Sequence, residues 1–166
     1  MKMDSAAAAE KLEILDYAPA YRAYFKSLNE AWIEKYFHLE EFDRILLNQP
    51  VKEIIALGGS VLFARLNGEI IGTCGLVKKN DHTFELVKMA VDEKAQGKKI
   101  GFQLGQAAID KARQLGATTL ELYSATSLSA AIHLYRKLGF EEVPLACGQY
   151  ARCDIKMELN LLGNSY

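Results

Sequence analysis

Residues 91–105, VDEKAQGKKIGFQLG, join the end of an apolar strand pattern to the start of a helical pattern. The loop between them holds Gly97 and Gly101 around the adjacent Lys98 and Lys99. A helix N-terminus presents unpaired backbone N–H groups and about half a positive charge, so it suits an anion. Glycines, which lack a Cβ, also let a phosphate approach the backbone closely. The stretch predicts a phosphate-binding turn, although an ordinary solvated strand–helix turn has the same composition.

Two common phosphate-binding motifs are absent from the sequence. No Gly-Lys-Ser/Thr occurs, which excludes a Walker loop, and no Gly-x-Gly-x-x-Gly dinucleotide fingerprint occurs. The loop alone therefore leaves the kind of phosphate ligand open.

Length and composition narrow the class of protein. The chain has 166 residues, 50% of them hydrophobic, so we expect residues 1–166 to form a single domain with a sizeable core. The net charge of −1 argues against nucleic acid as a partner. No apolar run approaches the ~20 residues that span a bilayer, so we expect no membrane segment and a cytoplasmic protein. Residues 1–10 are predicted to be a frayed leader.

Hydrophobic periodicity predicts alternating strands and helices along the chain. Strands are predicted at 12–17, 60–66, 69–77, 83–91, 118–124, 140–145 and 150–161, and helices at 19–37, 40–47, 51–57, 100–115 and 128–138. Asn67-Gly68 predicts a tight hairpin, because both residues tolerate positive φ. The single strand–helix–strand step implies one parallel pairing. The predicted fold is α/β (α+β), a mixed, mostly antiparallel sheet of about six to seven strands with helices on both faces.

A second motif follows the loop at a fixed distance. Gln96-Gly97-Lys98-Lys99-Ile100-Gly101 precedes a helix that ends Leu134-Tyr135-Arg136-Lys137-Leu138-Gly139-Phe140. The two motifs, with this strand order, resemble the GNAT superfamily of N-acetyltransferases over nearly the whole chain. The stretches EAWIEKYF, GTCGLV and ELVKMAV look closest to the acetyltransferase module of bacterial MarR-type regulators. The resemblance implies acetyl-CoA as the cofactor, an amine of a small molecule or peptide as the acceptor, and no metal.

The resemblance also implies catalytic roles for two residues. Tyr135 would protonate the leaving thiolate, since a phenol with a pKa of ~10 lies only slightly above a thiol at ~8.5. The alternative is a core tyrosine on an apolar helix face. Glu85 would remove the proton of the amine, directly or through water. The alternative is a solvated or ion-paired carboxylate.

The cofactor is expected along the splayed fourth strand, the loop and the second motif. The implied contacts are Met89, Ala90, Val91, Gln96, Gly97, Lys98, Lys99, Ile100, Gly101, Ala125 and Ala131. A backbone N–H near residues 89–91 would stabilise the oxyanion. Lys99 stands where the family usually has glycine, and Ala125 where it often has asparagine. Ser124, Thr126 or Ser127 is expected to supply the hydrogen bond that Ala125 lacks.

The acceptor pocket is predicted from four residues: Trp32, Tyr36, Tyr150 and Arg152. Arg152 is a candidate to bind a substrate carboxylate, although a surface arginine is the simpler interpretation. The sequence leaves a homodimer open. It also leaves two other functions open: a non-catalytic acyl-CoA binder and a different phosphate-ligand domain such as a nucleotide binder.

Overall fold

The computed structural model describes residues 10–145 and 151–162, and Tyr150 and residues 1–9 lie outside that part. The strands are β1 (Leu12–Asp16), β2 (Ser60–Leu66), β3 (Glu69–Lys78), β4 (Thr83–Val91), β5 (Thr119–Ser124), β6 (Glu141–Val143) and β7 (Ile155–Asn160). The α-helices are α1 (Arg22–Tyr36), α2 (Glu41–Asn48), α3 (Ile100–Gln114) and α4 (Ser129–Leu138). None of the described helices is long and apolar enough to span a bilayer.

One sheet of seven strands contains every described strand, in the order β1-β2-β3-β4-β5-β7-β6. Its strand pairs are antiparallel except for β4 and β5, which are parallel. The hairpin between β2 and β3 turns at Asn67 and Gly68, with φ of 51° and 87°. The predicted fold class is confirmed.

Each face of the sheet carries its own hydrophobic core. On one face, β2–β5 pack against α3, with Leu76, Phe84 and Leu104 among the residues buried there. On the other face, α1 and α2 pack through Phe25 and Leu46. Helices on both faces hold the sheet rigid, so that irregularities in its strands keep their positions.

Two irregularities open the centre of the sheet. The parallel ladder has only three pairs and ends at Glu85 opposite Glu121, and no later pairing joins β4 to β5 within the described residues. The register between β3 and β4 shifts between Thr73 and Gly75, and Lys88 in β4 has a φ of 54°. This is a β-bulge, which adds a residue to β4 and bends it. The ends of β4 and β5 therefore separate, with a cleft between them.

Several predicted boundaries were wrong, for local reasons. The helix predicted from residue 19 begins with a 3₁₀ turn, Pro19–Tyr21, before α1. The helix predicted at 51–57 is one π turn, Val51–Ile55, closed by a hydrogen bond from Ala56 N to Val51 O.

The last two strands are shorter than predicted. β6 ends at Val143 because Pro144 has no N–H for the ladder. β7 begins only at Ile155 because its partner strand β5 ends at Ser124, the register partner of Ile155. Beyond this pair, the side chain of Asp154 accepts hydrogen bonds from the backbone N–H and the hydroxyl of Thr126.

Candidate functional site

A groove of about 700 Å³ runs along the C-terminal end of β4, the N-terminus of α3 and α4. Most residues predicted to contact the cofactor line it: Met89, Ala90, Val91, Gln96, Gly97, Lys99, Ile100, Gly101 and Ala131. Trp32 and Tyr36 of α1 line it as well. Sequence reasoning assigned no role to Phe102, Ser129, His133 and Lys137, which also line the groove. Their only signal was proximity to the two motifs.

The loop before α3 has the backbone of an anion-binding turn. Gly97 and Lys99 have φ of 86° and 62°, in the left-handed region. No side chain in the described part of the chain caps the N-terminus of α3. The first N–H groups of this 15-residue helix therefore lack intrahelical partners beside the groove. The residues present fit a pyrophosphate.

Two loop residues have different surroundings from those predicted. A Cβ on Gly101 would lie 3.3 Å from Leu134 Cδ2, so this glycine also allows α3 to approach α4 closely. Lys98 bonds Glu10 and does not line the groove within the described part of the chain. Its contact with a phosphate therefore stays a prediction.

A second cavity, about 90 Å³ and here called the inner cavity, lies in the cleft between β4 and β5. It contains Glu85, Ala125 and Arg152 in its lining. Trp32, Met89, Leu128 and Tyr135 line both the groove and the inner cavity. These four residues form the junction where a ligand in the groove meets a ligand in the inner cavity.

Glu85 is a buried carboxylate at the base of the inner cavity. Its residue exposure is 8%, and Lys79 Nζ lies 3.1 Å from its Oε1. Burial raises the pKa of Glu85 above its usual value, and the charge of Glu121 adds to the rise, although Lys79 opposes it. A carboxylate with a raised pKa is a better proton acceptor than an exposed one.

Tyr135 packs against the core and also borders the cavities, so it has features of both interpretations of the sequence, the core residue and the catalytic residue. It is partly buried against the core, its ring lies 6.1 Å from that of Phe140, and it lines the junction. Burial raises the pKa of Tyr135 to about 12. The expectation of an ordinary phenol was therefore wrong, since desolvation disfavours the phenolate. The hydroxyl keeps its proton at neutral pH and can donate a hydrogen bond.

Ala125 is buried and lines the inner cavity rather than the groove. Of the three nearby hydroxyl residues, Ser124 lines the inner cavity and Ser127 lines the groove. The Thr126 hydroxyl donates to Asp154 Oδ2 at 2.8 Å. Ser124 and Ser127 are therefore the residues placed to replace the missing amide.

Sequence reasoning missed a buried charge cluster around Asp43 of α2. Asp43 is fully buried and accepts hydrogen bonds from Lys88 Nζ and from both Nη atoms of Arg152, at 3.0 and 2.8 Å. Burial raises the pKa of Asp43, but the bonds from Arg152 and Lys88 outweigh it and hold the pKa low. In the sequence, the only sign of this cluster was Lys88, a lysine within the apolar strand pattern of residues 83–91.

Arg152 is not the surface arginine of the simpler interpretation. Its side chain is 13% exposed and also bonds Glu40 Oε2 at 3.1 Å. The structure brings it together with Glu85 and Trp32 around the inner cavity, whereas Tyr36 lies on the groove. Tyr150 lies outside the described residues.

The profile of the acetyltransferase (GNAT) family matches residues 17–140. The chain belongs to the GNAT family. An uncharacterised N-acetyltransferase of Bacillus subtilis is 38% identical over 104 residues, which cover 61% of this chain and 67% of that protein. Three further acetyltransferase relatives match over shorter stretches, and the matched parts span 28–57% of their lengths.

Solved GNAT structures share the fold. A GNAT acetyltransferase from Staphylococcus aureus superposes with a TM-score of 0.81 at 21% identity, covering 91% of this chain and 99% of that one. An acetyltransferase from Salmonella typhimurium, solved with acetyl-CoA, gives 0.71 at 21% identity, with coverage of 94% and 97%. The predicted class, an acyl-CoA-dependent N-acyltransferase that uses acetyl-CoA, is confirmed for the family.

Proposed function

We propose that this GNAT protein transfers the acetyl group of acetyl-CoA directly to a primary amine of a small molecule or peptide. The observation that carries the proposal is the junction. There Tyr135 and Met89 border both the groove and the inner cavity, and the inner cavity contains Glu85. A donor in the groove and an acceptor in the inner cavity would meet at these residues. No covalent enzyme intermediate is required.

Acetyl-CoA would lie in the groove, with its pyrophosphate at the N-terminus of α3. Gly97 and Lys99 hold the loop in the conformation that exposes its backbone, and the Lys99 ammonium adds a positive charge. Ser127 would bond the pantetheine arm, and Ala131 would contact it. When bound, acetyl-CoA supplies an activated acetyl group as a thioester.

Three groups of the chain would serve the transfer. Glu85 would accept the proton of the amine, directly or through one water. A backbone N–H at the β4 bulge, near residues 89–91, would stabilise negative charge on the carbonyl oxygen. Tyr135 would donate its hydroxyl hydrogen to the departing sulfur. Because its pKa is about 12, this hydrogen bond matters more than a complete proton transfer.

A non-catalytic acyl-CoA sensor is the second candidate. Lys99 and Ala125 favour it, since both depart from the pattern that the family uses to bind the cofactor. Under this alternative, Tyr135→Phe and Glu85→Gln leave function intact, and no amine is acetylated.

Calorimetric titration with acetyl-CoA, followed by a thiol-release assay with a panel of primary amines, tests the proposal. Micromolar binding that Gly97→Glu abolishes, together with turnover that Tyr135→Phe and Glu85→Gln reduce, is the expected result. Binding without turnover of any amine would support the sensor, and absence of binding would exclude both.

Four further expectations stay predictions. They are a single domain over residues 1–166, a cytoplasmic location, a homodimer, and a particular likeness to the module of MarR-type regulators.

A further inference from the structure

We propose that the acceptor is a compact amine that also carries a carboxylate, with Lys88 and Arg152 binding the carboxylate and Glu85 facing the amine. This inference rests on the proposed function and names its substrate class. It follows from the way in which two ion-paired groups are oriented around the inner cavity.

The first group presents positive charge to the inner cavity. Lys88 and Arg152 line the cavity, with side-chain exposures of 4% and 13%. Asp43 lies behind them at 0% exposure, and Glu40 contacts Arg152 from the start of α2. The cations therefore stand between these carboxylates and the cavity, so the positive end of the group is directed inward.

The second group presents negative charge to the same cavity. Glu85 lines it, while Lys79 approaches Glu85 from outside the lining with a side-chain exposure of 30%. Glu121 is the register partner of Glu85 and bonds Lys156 rather than the cavity-lining cations. The lining of the inner cavity thus carries charges of both signs, which matches an acceptor that has both an amine and a carboxylate.

The cationic side is held in place by the carboxylates of the protein. The Arg152 guanidinium is fixed in one orientation by two bonds to Asp43 and one to Glu40, so a substrate carboxylate would share its donors with these two residues. Lys88 is held at the β4 bulge by the same carboxylate. Because both side chains are already ordered, binding a substrate carboxylate costs little further side-chain entropy.

The size of the inner cavity limits the acceptor. A volume of about 90 Å³ has room for the equivalent of roughly six to nine waters at 10–15 Å³ each. An amine, one or two carbons and a carboxylate have that size. Trp32 and Phe37 add an apolar wall for a small side chain. Larger acceptors would have to extend out through the junction.

Matched acceptors test the inference. Each of a series of amino acids is compared with its carboxamide, which keeps the amine and the shape but lacks the negative charge. We expect kcat/KM of the wild type to favour the acid by about tenfold to a hundredfold, the range for a hydrogen bond to a charged group. Carboxylates without an amine should inhibit competitively.

Variants separate charge recognition from the reactivity of the amine. Lys88→Met and Arg152→Lys should reduce the acid-to-amide ratio. Arg152→Lys keeps a positive charge beside Asp43, although lysine cannot form the two-pronged bond of the guanidinium. Lys94→Met is the matched control, because it also removes one positive charge but breaks only a surface pair with Glu69. Thermal melts check that each variant folds.

The outcomes distinguish this inference from the proposed function. Equal or faster turnover of amides, or no inhibition by amine-free carboxylates, would overturn the carboxylate site and leave acetyl transfer standing. Failure to bind acetyl-CoA, or to acetylate any amine of the wider panel, would overturn both, whereas turnover of panel amines but of neither series would overturn only this inference. If neither variant folds, the wild-type ratio and the inhibition measurement still decide.

Discussion

Glu85 of β4 and Glu121 of β5 face each other as the last pair of the parallel ladder, and each is only 8% exposed. A separate lysine contacts each carboxylate: Lys79 lies 3.1 Å from Glu85, and Lys156 lies 3.5 Å from Glu121. The charge of Glu121 adds to the burial that raises the pKa of Glu85, and the cleft begins at this pair. The pair at which β4 and β5 separate is therefore also the place where the surroundings make the Glu85 carboxylate a stronger base.

Removing the charge of Glu121 should lower the pKa of Glu85. We expect Glu121→Gln to move the acidic limb of the kcat/KM profile to lower pH, because the repulsion that favours protonated Glu85 is gone. The matched control is Glu158→Gln, which removes a carboxylate that contacts the same Lys156 at 3.5 Å. An acidic limb that both variants leave in place would mean that Glu85 does not control the rate.

Burial of Glu85 should also make stability depend on pH. Its pKa is higher in the folded state than in the unfolded state, so the folded state holds this proton more tightly. The resulting stabilisation is present at low pH and is lost as pH rises through the folded pKa. We therefore expect wild type to lose stability relative to Glu85→Gln as pH rises above 4.5, the usual pKa of a glutamate. Thermal melts across this range measure the difference, and a constant difference would contradict it.

Replacing Tyr135 with phenylalanine should lower kcat by about tenfold to a hundredfold, the range for losing one hydrogen bond to a group that becomes charged. The ring contact with Phe140 is retained, so acetyl-CoA affinity and the melting temperature should stay near the wild-type values. Because the pKa is about 12, wild-type kcat should show no basic limb from this residue in the working range. Steady-state kinetics and calorimetry measure the two effects. An unchanged kcat would assign Tyr135 to packing alone.

Gly68 is a matched control for a substitution of Gly97. Gly97 and Gly68 have φ of 86° and 87°, and a Cβ on either would meet no described atom within 4 Å. An alanine at either site should therefore cost about 1 kcal/mol of unfolding free energy through backbone strain. Only Gly97→Ala should weaken acetyl-CoA binding, as measured by calorimetry. Equal effects on binding would argue against the loop as the phosphate site.

The Asp43 cluster should be important for stability. Asp43→Ala leaves Lys88 and Arg152 buried without their shared carboxylate, which typically costs about 3–5 kcal/mol. The control is Asp16→Ala, which breaks an ion pair with Lys111 at 2.9 Å, where Asp16 is 68% exposed. That loss should stay within about 1 kcal/mol. Urea unfolding of both variants provides the comparison, and similar losses would contradict a special role for the buried cluster.

Local patterns account for the parts of the fold that were predicted correctly. The Asn67-Gly68 turn and the apolar stripe of α3 follow from φ preferences and helical periodicity, which act over a few residues. The start of β7 has a cause that is distant in the sequence. Its first residue, Ile155, pairs with Ser124 at the end of β5, and no periodicity reveals such a pairing.

Of the candidate site, the sequence by itself determined the glycine-containing loop before α3 and the elements that carry Tyr135 and Glu85, because motif spacing and strand alternation are local properties. Only the tertiary structure decided that Lys88 and Arg152 meet at Asp43, since they are 45 and 109 positions away from it along the chain. It also decided that Gly101 faces Leu134, that Lys98 bonds Glu10, and that burial shifts the pKa of Tyr135 and Glu85. Desolvation and long-range ion pairs depend on which surfaces the fold brings together, and that information does not exist within a short stretch of chain.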